Sequence, residues 1–517
     1  MENNITKEER EVFPAVTNEE APLQERPSEG GVIAADELTP KRKDRIKRAA
    51  KKLPTAWSLI MLGLTCAAVI AVAVLFMHDL GIDYTRMAGS GVAILIGFAV
   101  FGLYLVLRRR EAAGSLRRML FICVALLAAA LPMPITMRIN PGFMTFTLAA
   151  LLLSLLADEK VAMLSVLPVA ITAGAVASAM ESPEGVQAAV MLTVIVSGLV
   201  AVFALNIRKT RSSTVIAGGL AGIAGVVICA AVMFACGQLF DNYWQMLLWI
   251  LGSCLVCGIL AVGLMPLFEW LFDIPSEARL NELLNNNHPL IKRLMTEAPG
   301  TYHHSLIVAS LAEAAAEEIG ANALLCRVCA CYHDVGKLRC PQCFKENQLH
   351  GRNMHDDLDP YESAKRIIAH QKDGVTLLEK SKMPGDVVRI VGEHHGDSVM
   401  VYFYDKAKKL APEGTQVDES LFRYPSRKPS SKESAILMLA DCCEAAVRSM
   451  QNPNMKDIEN KVREVIAHKW DKHDSMLWDS PLTFIDIKKI EDSFIRTFSA
   501  FYHERVEYPD LEEIDVR

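Results

Sequence analysis

Five histidines and two aspartates stand in this chain where neither imidazole nor carboxylate is comfortable: His304, His333, Asp334, His370, His394, His395 and Asp441. Asp441 interrupts the apolar stripe of "AILMLADCCEAAV", on a helical face with Leu437, Glu444 and Ala445. A buried, unpaired carboxylate costs several kcal/mol or is forced to protonate, so something positive must meet it. For one isolated aspartate the ordinary partner is Arg or Lys. Here the histidines offer another. His304 lies on a face with Val308, Leu311 and Ala315, and His370 shares a face with Ile367. His394 and His395 follow "VVRIVGE", and His333 and Asp334 follow "LLCRVCACY". Each alone reads as a satisfied core histidine; together they read as one metal site.

Imidazole and carboxylate donors without evident thiolates suit Fe, Mn, Co or Zn. Seven ligands exceed one tetrahedral zinc and suit two cations about 3.5–4 Å apart. A carboxylate can bridge two cations, and Asp334, adjacent to His333, is the natural bridge. Such a pair supplies water activation near neutral pH and charge neutralisation at phosphorus. Lys337, one turn beyond Asp334, either meets phosphate oxygens as a point charge or ends as a solvent-facing charge at a helix C-terminus.

The elements that must position these residues follow from composition. Apolar residues make up 51% of the 517, high for a soluble enzyme and ordinary for a membrane protein with a soluble part. The length suggests roughly two to four domains. The mild net charge of −6 gives no sign of a nucleic-acid polymer as partner. Of the thirteen histidines only His78 precedes residue 280. Residues 1–53 read as a disordered N-terminus without a signal peptide, ending in the basic run "KRKDRIKRAAKK" as a juxtamembrane anchor.

Residues 54–272 read as a membrane domain of about eight spans: 57–77, 88–107, 119–137, 143–157, 161–180, 186–207, 214–236 and 244–268. The run 143–157 is short, and with 161–180 it is also open to a re-entrant reading. With the N-terminus inside, seventeen Lys and Arg lie on the inner connections against Arg86 and Arg138 outside. An even count returns the chain to the cytoplasm near Phe272. No ionisable residue lies at mid-span, so anchoring and signal reception are expected rather than transport.

Residues 273–517 read as an all-α cytoplasmic domain, with amphipathic candidates at 277–286, 301–319, 322–335, 360–372, 384–394, 432–449, 455–469 and 487–503. "VMVYFYDKA" (399–407) permits a short strand, and 409–433 reads as an irregular loop long enough to cover a site.

"YHDVGK" resembles the HD-domain phosphohydrolase signature. With "TYHHS", "ENQ", "GEHHGD", "FRYP" and "SKESAILMLADCCEAAVRS" in order, the chain resembles the seven-transmembrane HD-domain family of PgpH-type cyclic-di-AMP phosphodiesterases. The resemblance implies an all-α HD domain behind a polytopic helical membrane domain in a bacterial cell membrane. It implies a di-iron or di-manganese centre held by His304, His333, Asp334, His370, His394, His395 and Asp441, and hydrolysis of cyclic-di-AMP to 5′-pApA. His303 competes with His304 at the "HH" pair, and the more apolar face favours His304. Two departures stand out. Family members carry a large extracellular domain after the first span, where this chain has only residues 78–87; and the family's "YPGPKP" reads "YPSRKP" here.

Two rival functions are a receptor whose HD domain binds nucleotide without turnover, and a hydrolase of cyclic-di-GMP. The second lacks its expected Gly-Tyr-Pro element after the His-His pair, since the chain reads "HHGDSVMVYFY". The thirteen cysteines read as reduced thiols. Cys326, Cys329, Cys340 and Cys343 superficially spell a zinc site, but the ten-residue spacing is short; Cys340-Pro-Gln-Cys343 alone is compatible with redox or metal chemistry.

Overall fold

A computed structural model describes residues 56–180, 185–207, 209–238, 243–348, 353–471, 476–477 and 480–502. The N-terminal basic run lies outside the described residues. The fold is all-α; among the described residues the only β feature is an isolated bridge between Val399 and Arg423. The chain divides into two compact units, with the boundary between Leu280 and Asn281.

In the first unit seven helices are long and apolar enough to cross a bilayer: Ala56–Asp79, Tyr84–Arg108, Leu116–Ile139, Glu159–Ser178, Val186–Ile207, Arg211–Ala235 and Trp244–Phe272. This is a multi-pass membrane protein. The span expected at 143–157 is instead the ten-residue helix Thr147–Leu156, entered through a non-helical stretch. Ion pairs place its two ends. Arg138 meets Asp79, where the first helix finishes, at 2.9 Å. Asp158 meets Arg109, where the second helix finishes, at 3.1 Å. The segment 139–157 therefore runs from one end of the bundle to the other, partly as extended chain.

Non-helical backbone at such depth must find its hydrogen bonds inside the protein. The Met144 N–H donates to Ser253 Oγ at 3.3 Å, the Thr145 hydroxyl donates to the Ala129 carbonyl at 2.7 Å, and all ten helical residues are buried. Gly142 permits the fit, because a Cβ there would lie 2.2 Å from the Met246 carbonyl oxygen. The first two long helices are joined by residues 80–83 alone, so no domain is inserted between them.

The second unit packs amphipathic helices around Lys432–Arg448, whose residues from Ser434 to Asp441 are all buried. A helix apolar on every side belongs at the centre of a domain. Ser431 and Ser434 form a capping box at its start. Val401–Leu410 is a helix, correcting the possible strand: its one buried face, with Phe403 and Ala407, packs beside Phe422. Pro289–Glu297 is a further helix that the sequence reading passed over, opening with Pro at its first position. Residues 411–431 are irregular apart from a 3-10 turn at Glu419–Phe422.

Candidate metal centre

Five helices and one 3-10 turn deliver the seven side chains. His304 projects from Pro299–Glu318. The helix expected over 322–335 stops at Tyr332, so His333 is its C-cap and Asp334 opens the 3-10 turn Val335–Arg339. His370 comes from Pro360–Lys380, His394 and His395 follow Gly385–Glu393, and Asp441 sits mid-way along Lys432–Arg448. All seven converge. Two groups of donor atoms form, each with its atoms within 4.8 Å of one another: His304, His333 and Asp334, and Asp334, His370, His394 and His395. Asp334 belongs to both. Asp441 Oδ1 lies 3.0 Å from His304 Nε2 and 3.7 Å from His333 Nε2, and its Oδ2 lies 3.8 Å from His395 Nδ1. His304 is buried beside Asp441, whereas His303 is exposed.

The glycine of "HDVGK" explains how two of these elements meet. A Cβ on Gly336 would sit 1.8 Å from the His370 carbonyl oxygen and 2.5 Å from the Gly374 nitrogen. Only a bare backbone lets the turn after Asp334 lie directly on the His370 helix.

The imidazoles are oriented from behind. Nδ1 of His333, His370 and His394 faces the carbonyl three residues earlier, on Ala330, Ile367 and Val391, at 2.8, 2.6 and 2.5 Å. Such a bond fixes the tautomer and leaves Nε2 to point inward with its lone pair. Accordingly Nε2 of His333 and of His394 is buried without a hydrogen-bond partner. Buried nitrogens left open in this way are the expected mark of a ligand site.

Charge gives the same result. Burial pushes the Asp334 carboxyl up, but His333 and Lys337 outweigh it and hold it well below the usual range. Asp441 is likewise lowered against its burial, by His304 and His333. Burial and the neighbouring His333 depress His394 to about 3, and burial with His394 and His370 depresses His395. His333 moves up to about 10 against its burial, drawn by Asp334 and Asp441. Ionised carboxylates and the neutral His394 and His395 are forms that bind cations, whereas His333 is protonated beside the two carboxylates and would give up that proton to a cation taking its place. The donor set fits divalent metal.

Lys337 does not face solvent. Its Nζ lies 2.8 Å from Asp334 Oδ2 and 2.6 Å from Glu346 Oε1, over the Phe344 ring. Glu444, on the helical face of Asp441, is a further residue at the site that the sequence did not single out. Its carboxylate is buried against His304 Nδ1 and reaches Arg448 at 3.5 Å. Tyr424, from "YPSRKP", lies over His395 with ring centroids 4.3 Å apart, so the irregular segment does cover the site.

The cysteines require a correction. Cys340 and Cys343 are joined as a disulfide, not held as reduced thiols. Cys326 and Cys329 are free and buried on the helix leading to His333 and take no part in a four-cysteine zinc site.

A family profile described as "7TM receptor with intracellular HD hydrolase" matches residues 84–276, and an HD-domain profile matches residues 301–446. The chain is 39% identical over 378 residues to the cyclic-di-AMP phosphodiesterase PgpH of Bacillus subtilis, covering 72% of this chain and 52% of that protein. It is 34% identical over 447 residues to PgpH of Listeria monocytogenes, covering 84% of this chain and 61% of that protein. It thus spans little more than half the length of these relatives. A crystal structure of the L. monocytogenes PgpH HD domain in complex with cyclic-di-AMP is 43% identical, with a TM-score of 0.40, covering 43% of this chain and 100% of that one. With both profiles matched in tandem, the chain belongs to the seven-transmembrane HD-domain hydrolase family.

Proposed function

We propose that this protein is a membrane-anchored, metal-dependent phosphodiesterase that hydrolyses cyclic-di-AMP to 5′-pApA. The observation that carries the reading is the convergence of five imidazoles and two carboxylates on one centre, with Asp334 shared between two donor groups. The names of the two PgpH relatives supply the substrate class.

His304, His333, Asp334 and Asp441 would hold one cation, and Asp334, His370, His394 and His395 the other, with Mn or Fe as the metals that suit these donors. When bound, such a pair provides a water nucleophile at neutral pH and neutralises phosphate charge. In the reaction, the water oxygen bonds to phosphorus and the P–O3′ bond breaks, the departing oxygen taking up a proton. Lys337 spends two of its three N–H donors on Asp334 and Glu346, which fixes the Asp334 carboxylate and leaves one donor for a phosphate oxygen.

The HD unit is read as cytoplasmic. Arg109, Arg117 and Lys209 pair with Asp158, Asp273 and Glu277 at the end of the bundle that leads into the second unit. Positive residues gather on the cytoplasmic side. The profile match at 84–276 also holds seven helical crossings when Thr147–Leu156 is counted, which with Ala56–Asp79 makes an even total.

The test is a substrate panel on the purified full chain with Mn or Fe, with Asp334→Asn as control. The expected result is 5′-pApA from cyclic-di-AMP and none from the variant. Folded, metal-replete protein that binds cyclic-di-AMP without turnover would make it a receptor, and preferred cleavage of cyclic-di-GMP would reassign the substrate.

A further inference from the structure

The strap that follows Asp334 is closed twice. The outer closure is the ion pair of Lys337 with Glu346 at 2.6 Å, the same Lys337 that holds Asp334. Nested inside it, with two residues between Lys337 and Cys340 and two between Cys343 and Glu346, is the disulfide. The strap also carries Phe344, edge-on to the His370 ring at 5.6 Å, and Asn347, whose amide donates to Thr301 Oγ1 at 2.8 Å and to the Pro341 carbonyl at 3.3 Å. His355 Nε2 lies 2.9 Å from the Cys343 carbonyl. The disulfide fixes the bend between Lys337 and Phe344.

We infer that Cys340–Cys343 is a thiol–disulfide exchange site, and that its oxidation state sets the position of Lys337 and hence the competence of the metal centre. Cys340 is partly exposed and Cys343 is buried, so an incoming thiolate reaches Cys340 first. The co-reactant is a dithiol. Its thiolate attacks Cys340 Sγ and forms a mixed disulfide, and the Cys340–Cys343 bond breaks to release the Cys343 thiolate. The donor's second thiolate then attacks its own bound sulfur and frees Cys340. Two electrons pass to the strap, the donor leaves as a disulfide, and two protons complete the thiols. A disulfide in a compartment kept reduced is ordinarily transient, catalytic or sensing, which suits exchange better than permanent stapling.

The effect on rate rests on the phosphodiesterase reading; the exchange itself does not. Full-length protein is equilibrated with reduced or oxidised dithiothreitol, freed of it, and alkylated for mass analysis. Mn affinity and kcat are measured on the same samples. Two alkylated thiols at Cys340 and Cys343 should appear only after reduction and vanish on reoxidation. Reduction should weaken Mn binding and slow turnover about tenfold. The variant Cys340→Ser/Cys343→Ser should behave as the reduced protein under both conditions. Thiols that stay alkylatable after oxidation, or Mn affinity identical in both states, would overturn the inference. Exchange and an Mn shift without hydrolysis in either state would sink the phosphodiesterase reading alone.

Discussion

The backbone of Gly336 lies against the carbonyl of His370 so closely that a methyl group on Gly336 would occupy the oxygen's place, 1.8 Å away. This contact seats Asp334 beside His370, with Nε2 to Oδ1 at 3.3 Å. Substituting Gly336→Ala forces backbone apart from backbone, at the upper end of the ~1–3 kcal/mol usual for overpacking. The expected outcome is a melting temperature lower by several degrees together with reduced metal content, read by calorimetry and elemental analysis.

Glu444 anchors His304 from behind as backbone carbonyls anchor His333, His370 and His394. Loss of such an outer partner typically costs about 10–100-fold in metal affinity. Glu444→Ala should weaken Mn binding by that order in a metal titration, and Glu444→Gln, which keeps a hydrogen-bonding group in place, should recover part of the loss. Equal affinity in Glu444→Ala and wild type would remove this role.

Lys337 is the cation between the buried Asp334 carboxylate and the partly exposed one of Glu346. Removing one partner of such an arrangement costs about 3–5 kcal/mol, because the other charges stay buried. Lys337→Met should therefore lower stability and turnover together. Adding Glu346→Gln removes one uncompensated charge and should restore stability in part while turnover stays low, a non-additivity that a double-mutant cycle measures.

Metal removal should destabilise the HD unit selectively. A ligand that binds only the folded state at 100 times its Kd adds about 2.7 kcal/mol. Chelation should lower the melting transition of the wild type and leave that of Asp334→Asn nearly unmoved. Equal shifts in both would place the stabilising metal elsewhere.

In the membrane unit, Ser253 accepts the Met144 N–H where no helix can. Ser253→Ala leaves that donor unmatched at a cost of about 1–3 kcal/mol. The detergent-solubilised variant should unfold at lower temperature, with Mn affinity unchanged.

Much of this was legible in the residues. Apolar run lengths gave seven of the eight expected crossings as long helices, and apolar periodicity placed His304 and Asp441 on buried faces. The reading failed where one dimension is not enough. Residues 143–157 run the length of the bundle, yet only Thr147–Leu156 is helical, because Gly142 and Ser253 hold the entry out of helix. The alternation at 399–407 suggested a strand, but with a single buried face against Phe422 the segment coils instead.

The sequence by itself determined which elements form and which side chains bring chemistry, because both depend on local spacing and residue type. Tertiary structure alone decided that Glu444 stands behind His304, 140 residues away, and that Gly336 touches His370. Those relations depend on how separate helices pack. Packing is set by the mutual fit of surfaces that no stretch of sequence contains.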